Sequence, residues 1–129
     1  MQGPSTITFQ EARDAFLQYC RIKNLSTATL THYSKRINGM IAFLEATYPG
    51  LTLSGVDTKH LRERAAAMMD AEADITSINH FVTVAKTFFG FLTDESYIQS
   101  NPALRLQKLK DEKVLIKTFT QAQIQALLA

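Results

Sequence analysis

Apolar positions recur at helical spacing along most of the chain, and no stretch keeps up the alternation that a half-buried strand needs. The pattern predicts an all-α fold. A first helix is expected from Thr8 to about Lys23. Thr8-Phe9-Gln10-Glu11 has the form of a capping box, in which the hydroxyl accepts from the amide three residues on and the glutamate reaches back. Phe9, Ala12, Phe16, Tyr19 and Cys20 mark the apolar stripe, and Asn24 suits a left-handed C-terminal position. A long second helix follows Ser26 as N-cap and runs to roughly Ala46, with Leu30, Tyr33, Ile37, Met40, Ile41 and Leu44 on one face. Tyr48-Pro49-Gly50 breaks it.

A third helix is predicted from Asp57 or Thr58, striped by Leu61, Ala65, Met68 and Met69. A fourth follows Asp74 and ends near Thr93, with Ile75, Ile78, Val82, Ala85, Phe88, Phe89 and Leu92 as its stripe. Asn101-Pro102 predicts a short fifth helix, Asn as cap and Pro in the first turn. After Leu106 the chain turns charged and reads as a linker. A second capping box, Thr120-Gln121-Ala122-Gln123, then opens a helix of barely two turns, too short to be stable alone. The expected organisation is a helical domain over residues 1–106 and, over 107–129, a linker with the start of a further domain; the natural protein is expected to continue.

Composition changes this picture little. At 129 residues, 46% hydrophobic and 20% charged, the chain is long and apolar enough for one folded domain. The single cysteine, Cys20, excludes an internal disulfide and lies in an apolar stripe, as a small buried hydrophobe would. No His, Cys, Asp or Glu set has metal-ligand spacing, so no metal or cofactor is expected, and His32 and His80 read as surface histidines. No apolar run approaches the roughly 18 residues of a membrane span. The first residues lack the basic and apolar regions of a signal peptide, so a cytoplasmic location is expected.

Charge placement says more than the net charge of +2. Ser26 to Leu44 holds no acid, and neither does Ile75 to Thr93, although the chain has 12 acidic residues. Those two helices carry Lys35, Arg36, Lys86, His32 and His80. At about 100° per residue, Thr31, Lys35 and Asn38 fall opposite a core face centred on Tyr33, and Thr76, His80, Thr83 and Thr87 fall opposite Ile78. Short neutral or basic side chains suit phosphate contacts and some base-edge readout, and a duplex repels carboxylates. The same faces could be ordinary solvated surfaces with a chance shortage of acids. The linker, with Arg105, Lys108, Lys110, Lys113 and Lys117 against Asp111 and Glu112, could follow a phosphate backbone or merely be soluble. Phe16, Tyr33, Phe81, Phe88 and Phe89 could stack on bases, but they lie on or near core stripes and read as core; Phe81 and Phe91 flank the stripe.

Three stretches together resemble one family. Asn24-Leu25-Ser26-Thr27-Ala28-Thr29-Leu30-Thr31-His32-Tyr33, the run from Ile75 to Leu92, and Asn101-Pro102-Ala103 followed by a lysine-bearing linker and Phe119-Thr120-Gln121-Ala122-Gln123-Ile124 are similar to the N-terminal core-binding domain of tyrosine recombinases of the phage-integrase type. The resemblance covers about residues 6 to 129. It implies a SAM-like bundle of four or five helices that, with a catalytic domain, clamps a recombination half-site. The second and fourth helices would face the major groove of double-stranded DNA. By position, the implied contacts are Ser26, Thr27, Thr31, His32 and Lys35 on the second helix and Thr76, Ser77, His80 and Thr83 on the fourth. Lys108 and Lys110 would follow the backbone between domains.

The family cuts DNA with a tyrosine nucleophile whose phosphate is held by arginines and a histidine, including a His-x-x-Arg motif. Here His60-Leu61-Arg62 has the wrong spacing, and Tyr19, Tyr33, Tyr48 and Tyr97 all fall in the bundle. The chain is therefore expected to bind DNA without cutting it, to be a monomer in solution, and to meet other recombinase protomers on assembled DNA. A helical protein–protein interaction domain is the competing reading, which predicts an exposed apolar patch to which Phe91 and Met69 could contribute. A small enzyme has no nucleophile–base pair to support it.

Overall fold

A computed structural model describes residues 7–109. The described residues form four helices and no strand: α1 (Phe9–Ile22), α2 (Thr27–Thr47), α3 (Thr58–Asp70) and α4 (Ile75–Asp94). Each start has a local cause. At α1 the amide of Glu11 donates to the Thr8 hydroxyl at 3.0 Å and the Thr8 amide donates back to the Glu11 carboxylate at 2.8 Å. Ser26 accepts from the Thr29 amide at 3.1 Å, and Asp74 accepts from the Ser77 amide at 2.7 Å. At α3 the cap is a histidine: the Asp57 amide donates to Nδ1 of His60 at 2.8 Å. His60 is buried and meets the ring of Tyr48 edge-on at 4.5 Å, so it closes the helix start and fills core space together.

Three helices end in the same way. Asn24, Glu72 and Ser96 have φ of 64°, 63° and 66°, left-handed values that non-glycine residues seldom take. Each donates its amide back to Arg21, Met69 or Thr93, and the next residue donates to Cys20, Met68 or Leu92. That is the paired closure of a Schellman motif.

The fourth helix holds the domain together. It packs against the other three, and Ile78, Phe81, Val82, Val84, Ala85, Phe88, Phe89 and Leu92 are all buried, an arc wider than a single stripe. Phe81, placed by its spacing at the stripe's flank, belongs to the core. Phe16 of α1 meets Phe88 edge-on at 5.5 Å, with Phe89 at 5.1 Å from Phe88. On α2 the buried face is Ile37, Met40, Ile41 and Leu44; Tyr33, expected at its centre, is half-buried at its edge. Cys20 is buried, and burial pushes its thiol pKa up against a smaller opposing pull from Lys23.

The predicted fifth helix is absent from the described residues. Asn101 accepts from the amide of Ala103, two residues on, and gives its side-chain amide to the carbonyl of Lys86 on α4. The Leu104 amide donates to the Asn101 carbonyl and the Leu106 amide to the Ala103 carbonyl, and residues 102–105 form successive turns. The Thr58 hydroxyl donates to the Pro102 carbonyl at 2.7 Å. The exit segment then runs back along α4 to Leu109, where Asn79 bonds the backbone twice: its amide donates to the Leu109 carbonyl at 2.9 Å, and its carbonyl accepts from the Leu109 amide at 2.6 Å. A short 3₁₀ turn at Leu53–Gly55, not foreseen in the hydrophobic pattern, buries Leu53. The expected linker from residue 110 onward, and the second capping box, lie outside the described residues.

Candidate nucleic-acid interface

The faces of α2 and α4 chosen by rotation are the exposed ones. Thr31, Lys35 and Asn38 are exposed on α2, and Thr76, His80, Thr83 and Thr87 on α4. The two helices meet there through a histidine pair. The His32 and His80 rings stand 4.9 Å apart, edge to face, with an interplanar angle of 89°. Burial first, then the charges of His80, Arg36 and Lys35, hold the His32 pKa below the usual histidine range. One acid, Asp74 at the start of α4, feels the charges of both Arg36 and His80. Its carboxyl is held below the usual carboxylate range, first by the Ser77 amide, then by the Ser77 hydroxyl, with smaller help from Arg36 and His80.

Several predicted contacts already have local partners. The Ser26 hydroxyl caps α2 and donates to the Thr29 hydroxyl at 3.0 Å. Ser77 is turned onto Asp74. The Thr87 hydroxyl donates to the Thr83 carbonyl at 3.0 Å, so it offers only lone pairs outward. Thr27, Thr31, Thr76 and Thr83 are exposed, as is Lys35. Within the predicted set, the direct side-chain contact between helices is that of His32 with His80.

Thr31 and Lys35 also line a shallow groove of ≈ 420 Å³ shared with Leu17 and Arg21 of α1. Arg13 extends the same edge, donating to Asn38 at 2.9 Å. Its contact with Asp14, at 3.0 Å, is the single ion pair among the described residues. Lys35, Lys86 and Lys108 therefore have no carboxylate partner there. Lys108 is exposed beside the clamp that Asn79 makes on Leu109. Lys110 lies outside the described residues. Among those residues no group of three His, Cys, Asp or Glu side chains could hold a metal ion, and no helix is long and apolar enough to cross a membrane.

Comparison with known proteins settles what kind of bundle this is. Residues 14–96, which include the greater part of α1 and all of α2, α3 and α4, match the model of the phage integrase N-terminal SAM-like domain. The chain belongs to this family. It is 26% identical over 116 residues to tyrosine recombinase XerC of Oceanobacillus iheyensis. That alignment covers 88% of this chain and 37% of the relative, so the chain spans little more than a third of the curated relative it matches. No solved structure matches.

In this integrase-type domain, α1 supplies cations that the sequence reading passed over. Arg13 and Arg21 stand eight residues apart with Leu17 between them, a four-residue spacing that puts all three on one stripe. Glu11 and Asp14 on the same helix hid that stripe when acids were counted helix by helix. Asn79 was missed for a different reason: its role is defined by a backbone 30 residues away.

Proposed function

We propose that this domain is the DNA-gripping half of a site-specific tyrosine recombinase, holding the recombination half-site through α2 and α4. The observation that carries the reading is that the acid-free stretches of α2 and α4 converge on His32 and His80, with Lys35 and Arg36 near His32 and Asp74, at the start of α4, engaged with Ser77. Ser26, Thr27, Thr31, His32, Lys35, Thr76, Ser77, His80 and Thr83 would lie along the duplex. Lys108 and Lys110 would follow its backbone toward a catalytic domain beyond the 1–106 bundle. The domain supplies affinity and register and does not cut DNA by itself; it acts in the cytoplasm as a monomer that meets other protomers on assembled DNA.

The test is a fluorescence-anisotropy titration of the 129-residue chain onto a random duplex of about 20 base pairs, at roughly 50 and 200 mM salt. Four to six neutralised phosphates give a slope of log K against log salt near −4 to −5, and an affinity loss of at least about a hundredfold across that interval. Absence of binding at low salt would transfer the two faces to a protein partner.

A further inference from the structure

Two buried guanidinium nitrogens have no hydrogen-bond partner among the described residues. Arg36 on α2 and Arg64 on α3 both keep Nε buried without a hydrogen-bond partner. Neither is in an ion pair among the described residues. Ordinary surface arginines swing into water to avoid this. Arg64 is held: it lies over the ring of Phe43, 5.8 Å from guanidinium carbon to ring centre. Its far nitrogen passes so close to α2 that a Cβ on Gly39 would stand 2.8 Å from Nη2. A glycine inside a helix costs about 1 kcal/mol, and here it opens the space in which Arg64 lies.

Burial, and then the charge of Arg36, push the Arg64 pKa down. Arg36 shares a stripe of α2 with Gly39 and Phe43, three and seven residues on, so Arg64 lies along the stripe that Arg36 heads, with no ion pair to either arginine among the described residues. The charge of Arg36 is also felt by His32 and by Asp74, whose carboxylate is engaged with Ser77. Both arginines retain some solvent exposure. Their Nε atoms are shut in, so it is the terminal Nη groups of these planar guanidiniums that can meet the oxygens of a tetrahedral oxyanion.

We infer that Arg36 and Arg64 together form the seat of one phosphate group, supplied by the DNA backbone. This rests on the DNA reading above and adds α3 to the interface, a helix whose acids gave it no place there. An arginine from each of two helices on one phosphate fixes how the duplex lies across the α2–α3 junction.

Two measurements test it. In the first, Arg36→Gln, Arg64→Gln and the double variant are titrated with duplex over a salt series, with circular dichroism melts to confirm folding. Each single change is expected to weaken binding about tenfold. The double change is expected to weaken it by much less than the product of the two, and to flatten the salt slope by about one rather than two. Arg64→Lys, which keeps the charge but loses the planar fork, is expected to lose affinity with the slope nearly unchanged. Additive losses with a slope change of about two would mean two separate phosphates and overturn the shared seat. Unchanged binding in every variant would reduce the pair to packing.

The second measurement needs no substitution. The Nε–Hε resonances of Arg36 and Arg64 are followed while either duplex or inorganic phosphate is added to the wild-type chain. Both are expected to move together with duplex and to respond far less to millimolar phosphate. Saturation by inorganic phosphate with no response to bound duplex would make this a free-anion site and overturn the backbone assignment. Failure of the wild-type chain to bind duplex at all would remove the proposed function itself, a result distinct from duplex binding that ignores the two arginines.

Discussion

His32 stands where charge, burial and helix contact coincide, and its titration should be visible. Its pKa in the fold lies below the ordinary value of about 6.5 because burial, His80, Arg36 and Lys35 all oppose a second positive charge. A base whose folded pKa is depressed takes up its proton more readily when unfolded. The fold therefore loses stability as pH falls below about 6.5, and the loss stops growing once the folded pKa is passed. Melting temperature measured from pH 7.5 to 5 should fall more for the wild type than for His32→Gln, and equal curves would remove His32 from this account. Bound phosphate offsets the same penalty, so affinity for duplex should rise on acidification from pH 7.5 to 6. At neighbouring positions the readouts separate. Lys35→Ala should weaken binding on all sequences and flatten the salt slope by about one. His80→Gln should change the order of preferred sites if the ring reads a base edge, whereas uniform loss across sites would leave it a backbone contact.

Helices are where sequence and structure agree most closely, because helix ends are decided locally. Thr8 with Glu11, Ser26, Asp74 and Asn24 each act within a few residues, and each was readable as a cap or stop. At Asn101 the cap forms as read, on the Ala103 amide, but the residue is also tied to the Lys86 carbonyl, 15 residues away, and the chain closes in turns at Leu104 and Leu106 instead of continuing as a helix, which no local rule can see. The 3₁₀ turn at Leu53–Gly55 is too short to show a period. For the interface, acid depletion located the helices and rotation located their exposed faces. The meeting of His32 with His80, and of Arg64 with Gly39, depends on how helices are set against each other. The helix ends also carry a prediction. Ser96 pays the steric cost of a left-handed backbone with a Cβ in place. Ser96→Gly should stabilise the domain by roughly 0.5–1 kcal/mol, a rise of several degrees in Tm. A fall in Tm would show that glycine's freedom in the unfolded chain outweighs the relief.

The molecule as a whole is built around α4, which buries one side in the other three helices and presents the other as candidate interface. Large changes in its core would therefore confound any binding test: Phe88→Ala should cost about 3–5 kcal/mol and lose the fold along with the face. The exit segment is the better place to separate the two. Asn79→Ala removes both bonds to Leu109 and should cost about 1–3 kcal/mol. Trypsin cleavage after Lys108 should quicken while the far-ultraviolet spectrum stays helical. Unchanged cleavage would mean that Leu109 is held by its apolar contacts alone.

That clamp also decides where tension enters the domain. A pull on the chain beyond Leu109 does not fall first on a helix end that could fray. It falls on the Asn79 carboxamide, near the middle of the first half of α4, and only after that yields does it reach the Thr58–Pro102 bond and the Asn101–Lys86 bond in turn. Whatever is tethered there tugs on the helix that carries His80, one residue from the point of attachment, so a load on the tether and a grip on the duplex act on the same lever.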